Sequence, residues 1–82
     1  MTPVNRPTRT LDVRVYCDPV ECPSLKYVKR ELGELASRET LEVIGNEFQG
    51  REIRAWSAKF QHKVIGERRD GDMVYLLIEK AA

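Results

Sequence analysis

Leu11, Val13 and Val15 alternate with Asp12 and Arg14, the period of a strand with one buried face, and predict a first strand opening at Thr10. Leu25, Val28, Leu32 and Leu35 then recur at steps of three and four, with Lys26, Lys29, Arg30, Glu31 and Glu34 between them. That spacing lays one apolar stripe along an amphipathic helix. In "ETLEVIG" the apolar positions Leu41 and Val43 alternate with Thr40 and Glu42, which predicts a second strand closed by Gly45. Ile53, Trp56 and Phe60 return to helical spacing and predict a second helix from about Gly50 to Gln61, with Arg51, Arg54 and Lys59 outward. The last third holds two apolar runs around Asp70-Gly71, a dipeptide that favours a tight hairpin. "VYLLI" within it is apolar enough for a central strand.

The predicted order is therefore β-α-β-α-β-β. Two helices with one apolar stripe each, and a sheet joined by right-handed crossovers, assemble most simply as an α+β two-layer sandwich. Its sheet is four-stranded and mixed, with both helices packed on one face. Residues 1–9, with Pro3 and Pro7 among polar neighbours, carry no periodicity and are expected to be a flexible tail ahead of a single domain over 10–82.

Composition narrows the function classes only a little. Fourteen basic and 13 acidic residues leave a net charge of +1, so nucleic-acid or anionic-membrane binding would need a local patch. Arg51, Arg54, Lys59 and Lys63 are the residues that could build one, although a solvated helix face is the commoner explanation, since Glu52 and Glu67 dilute the charge. No stretch reaches the roughly 20 apolar residues of a membrane span, and the start has no signal-like apolar run, so a cytoplasmic location is expected. Two cysteines and one histidine, His62, are too few for a tetrahedral metal site, and neither metal nor cofactor is expected.

The segment "CDPVECPSLK", residues 17–26, concentrates the candidate chemistry. Proline is favoured at the first helical position, so Pro23 predicts a helix start with Cys22 as its N-cap. Free first-turn amides and the positive end of the helix dipole would then favour the Cys22 thiolate, with Lys26 one turn further on. Asp18 and Glu21 oppose this. Cys17 has no helix end behind it and is at most a secondary thiol or a disulfide partner for Cys22. The plain alternative is that both cysteines are inert small apolar residues.

These residues resemble the SirA/TusA-like sulfur-carrier family. The correspondence runs through Leu11-Asp12, Cys22-Pro23, Glu39-Thr40-Leu41-Glu42-Val43, Glu52-Ile53-Arg54-Ala55-Trp56, Gln61-His62 and the closing hairpin, from about Thr10 to Lys80. Leu25 stands in place of the family's second motif proline, and Arg38 where its pattern has a helix-ending glycine. The resemblance implies the same two-layer fold and a carrier whose motif cysteine, here Cys22, accepts a persulfide sulfur and relays it. It also implies a donor such as a cysteine desulfurase, an acceptor protein, and pathways such as tRNA thiolation. Lys26, Arg51 and Arg54 are the candidate partner-binding residues. Two readings from other classes stay beside it: an interaction or regulatory module that keeps the fold without sulfur transfer, and direct RNA binding.

Overall fold

The computed structural model describes residues 7–16 and 23–81. Strand β1 covers Arg9–Asp12, helix α1 Ser24–Gly33, strand β2 Thr40–Gly45, helix α2 Glu47–Lys59, strand β3 Lys63–Asp70 and strand β4 Met73–Glu79. The sheet order is β1-β2-β4-β3. β1 lies parallel to β2, and β4 runs antiparallel to both β2 and β3. The architecture is thus the α+β two-layer sandwich that the pattern predicts. The crossover through α2 carries the chain past one strand position, and the hairpin returns β4 into that gap. β4 is therefore central, as the apolarity of "VYLLI" implies.

The core lies between the sheet and the helices. Leu41 and Val43 of β2 and Val74, Leu76 and Ile78 of β4 are buried against Val28 and Leu32 of α1 and Ile53 of α2. Leu11, Leu25, Trp56 and Val64 close its edges. Alternation in β4 buries every second side chain and leaves Met73, Tyr75 and Leu77 half-exposed on the other face. Gly50 lets α2 approach closely, since a Cβ there would stand 3.1 Å from Cγ1 of Val74. Gly71 opens the two-residue hairpin loop at φ 63°, a conformation that disfavours side chains with a Cβ.

Local interactions move several boundaries from where periodicity sets them. α2 begins at Glu47 rather than about Gly50, because Asn46 and Gln49 form a reciprocal capping box. The Asn46 carbonyl Oδ1 accepts from the Gln49 amide at 2.8 Å, and the Gln49 Oε1 accepts from the Asn46 amide at 2.9 Å. Phe60, assigned to the core stripe by its spacing, follows the last helical residue and is 52% exposed, with its ring 5.5 Å from that of Trp56. After Asp12 the chain tightens into a 3-10 helix over Val13–Tyr16. Val13 is buried by this turn, but Val15, expected on the same face, is 74% exposed. Asp12 fixes the turn by accepting from the Arg14 amide and guanidinium.

Pairing with β2 starts earlier than Thr10. Arg9 is the first residue of β1, and the Thr8 amide donates to the Thr40 carbonyl at 3.0 Å. Arg9 also bridges Glu31 and Glu34 of α1 at 2.8 and 2.6 Å. At the far end of α1, the Lys80 ammonium donates to the carbonyls of Leu32 at 2.6 Å and Leu35 at 3.0 Å. On the Leu32 carbonyl it joins the Leu35 amide, which donates at 3.1 Å, and on the Leu35 carbonyl it supplies a donor just beyond the helix end. The chain then reverses through Arg38, whose φ of 71° lies in the left-handed region.

Candidate functional site

Because β1 and β2 are parallel and each is followed by a helix, both helices start at the same end of the sheet, beyond the C-terminal ends of these strands. Ligand sites of open α/β sheets lie at such ends, since helix N-termini converge there. The Val13–Tyr16 turn, the start of α2 and the β3–β4 hairpin share this end, because Gly45 pairs with Val74 at the beginning of β4.

Cys17 and Cys22 lie outside the described residues. What is described is the helix start that Cys22 directly precedes. Pro23 occupies the N-cap position and Ser24 is the first helical residue, so the helix opens one residue later than a Cys22 cap implies. Pro23 makes no side-chain capping bond; the first turn closes through the Lys26 amide to the Pro23 carbonyl at 3.1 Å. Ser24 is fully buried.

The Val13 turn is tied to the start of α2 by one buried side chain. Gln49, wholly inaccessible, donates from Nε2 to the Val13 carbonyl at 2.8 Å while its Oε1 serves the capping box. This side chain therefore fixes where the chain leaves the sheet for the cysteine segment. The sequence pattern did not single it out. The S/T/D/N-x-x-E/Q signature at Asn46-Glu47-Phe48-Gln49 is the signal that marks it. The same end also exposes Val15 and Phe48, the latter at 64%.

The three basic candidates separate. Lys26 is exposed on the first turn of α1, its ammonium 5.9 Å from the centre of the Tyr27 ring. Arg51 is exposed in the first half of α2, with only a 4.0 Å approach to Glu47. Arg54 is turned inward to Glu67 on β3, in a network that continues through Arg69 to Glu47 and clasps α2 to the edge strand. The neighbouring guanidinium holds the Glu47 carboxyl below its ordinary range, and Arg14 does the same for Asp12. Arg54 is thus engaged within the fold, and Lys26 and Arg51 are the candidates left facing solvent.

His62 acts as a structural acceptor. Its Nδ1 takes the Ala81 amide at 3.0 Å and its ring lies 5.2 Å from Trp56. Burial, and then the nearby Lys80 cation, lower its pKa, so the neutral Nε2–H tautomer is favoured. Among the described residues, no group of three or more His, Cys, Asp or Glu side chains could hold a metal ion. No helix among them is long and apolar enough to cross a membrane.

The chain matches no protein-family model and no curated protein sequence.

Proposed function

We propose that this protein is a cytoplasmic sulfur carrier in which Cys22 is the acceptor. The observation that carries the reading is the helix start immediately after the cysteine. α1 opens at Pro23-Ser24, with no capping bond from the Pro23 side chain, at the sheet end where both helix N-termini lie. A thiolate bonded to the residue before such a start is favoured over the thiol by the helix dipole. In the transfer step the Cys22 thiolate attacks the terminal sulfur of a donor cysteine persulfide. A sulfur–sulfur bond forms to Cys22, the donor's own sulfur–sulfur bond breaks, and the donor cysteine leaves as a thiolate. No net oxidation occurs, so no cofactor is required. Passing the sulfur to an acceptor protein, as in tRNA thiolation, repeats the step in the opposite sense.

Lys26 and Arg51, with the exposed Val15 and Phe48, supply charge and apolar surface for a donor such as a cysteine desulfurase and for the acceptor. Incubation with a cysteine desulfurase and labelled cysteine tests the reading. One added sulfur per chain is expected by mass spectrometry, lost in Cys22→Ser and kept in Cys17→Ser. Absence of uptake by the wild type would refute it. The same apolar end also suits a second reading, a binding module without sulfur transfer. For that module a Cys22 thiol pKa near the free value of about 8.5 is expected.

A further inference from the structure

No element among the described residues covers the sheet face opposite the helices, and the strand registers fix what stands on it. One row across the sheet reads Asp12, Ile44, Tyr75, Arg68; the next reads Thr10, Glu42, Leu77, Gly66. Ile44, Tyr75, Leu77 and Met73 form a half-exposed apolar strip along β2 and β4. Beside it is a shallow depression of about 370 Å³ lined by Glu42, Ile65, Gly66, Glu67, Arg68, Tyr75 and Leu77. Gly66 leaves it open, yet the fold does not require glycine there. A Cβ would meet Leu77 at an ordinary 3.5 Å, and the backbone is not in the positive-φ region. At the neighbouring bulge Ile65 is 47% exposed.

Glu42 and Arg68 flank the strip, and among the described residues neither forms a salt bridge. Arg68 lies over the Tyr75 ring, 4.0 Å from its centre. Glu42 is on β2, beside Leu77. On this face they stand on opposite sides of the midpoint between Tyr75 and Leu77 on the central strand. A two-fold axis in the plane of the face, through that midpoint and perpendicular to the Glu42–Arg68 line, brings Glu42 of each copy onto Arg68 of the other. The two apolar strips then cross over Tyr75 and Leu77. This is the condition for an isologous interface, in which residue i meets j and j meets i.

We infer that the open sheet face is a self-association surface, whose occupant is a second copy of this chain related by that two-fold axis. The face carries both signs of charge and no cationic excess, which suits a like partner better than a phosphate backbone. Strands of 4, 6, 8 and 7 residues, about 4.8 Å apart with about 3.4 Å per residue, give a footprint of about 400 Å² per copy. The pair therefore covers about 800 Å² in projection, below the range of stable specific interfaces, which sets a weak, concentration-dependent dimer.

Sedimentation velocity of the full chain from about 1 μM to about 500 μM tests this, in the range expected for a small interface. The wild type is expected to shift from monomer to dimer. Glu42→Arg and Arg68→Glu each put like charges together twice per dimer, and each is expected to weaken association at least about tenfold. Mixing the two single variants restores both contacts with opposite signs, so a heterodimer as tight as the wild-type dimer is expected. Both side chains lack ion pairs among the described residues, and circular dichroism checks that the variants keep their fold. A wild type that stays monomeric throughout overturns the inference, whether or not the face then retains RNA or another protein. Single variants that dimerise like the wild type, or a mixture that fails to, overturn it as well.

Discussion

Replacing Gln49 with methionine keeps the length and nearly the volume of a fully buried side chain while deleting both of its polar ends. The Val13 carbonyl loses its donor at 2.8 Å in a buried setting, and the Asn46 amide loses its acceptor at 2.9 Å in a half-buried one. A buried group left unpaired costs about 1–3 kcal/mol, and the half-buried amide, which water reaches, costs less. The expected loss is therefore about 2–3 kcal/mol. For 82 residues, total stability is about 4–12 kcal/mol, so the variant gives up a large share of it. Urea unfolding should show a lower midpoint at an unchanged slope, and the melting temperature should fall by about 10–20 °C. Hydrogen exchange should also quicken at Val13–Tyr16 and in the first turn of α2. A loss below about 0.5 kcal/mol with unchanged exchange would refute the view that Gln49 anchors this turn.

Three further outcomes follow from other contacts. Lys80→Met strips the charged donor from the Leu32 and Leu35 carbonyls and should cost about 1.5–3 kcal/mol in urea unfolding; an unchanged midpoint would remove Lys80 from the closing of α1. His62 has a folded-state pKa below its ordinary value of 6.5, so the unfolded chain protonates first. The stability this histidine supports is complete above about pH 6.5 and declines as pH falls toward the folded-state value, whereas the Asp12 and Glu47 contributions fade only in the lower carboxylate range. His62→Gln should flatten the upper part of that decline, and a variant with the wild-type profile would exclude the histidine as its source. Ser57→Ala removes a buried hydroxyl with no hydrogen-bond partner among the described residues and improves helix propensity, so a gain of about 0.5–1.5 kcal/mol in thermal unfolding is expected and a loss would contradict it.

The amino-acid pattern by itself determined the element order, the central place of "VYLLI" and the inward residues of β2, because burial imposes a period on each element that no single substitution hides. Candidate residues were legible only as types and spacings. Tertiary structure decided the rest. It turned Val15 out to solvent by tightening the chain after Asp12, drew Arg54 to Glu67 and left Arg51 exposed, and ran β1 from Arg9. It also joined Val13 to Gln49 across 36 positions and set Glu42 and Arg68 on opposite sides of the Tyr75–Leu77 midpoint. The reason is physical: periodicity records which face of an element avoids water, whereas hydrogen bonds, ion pairs and surface symmetry depend on residues that only the folded chain brings together.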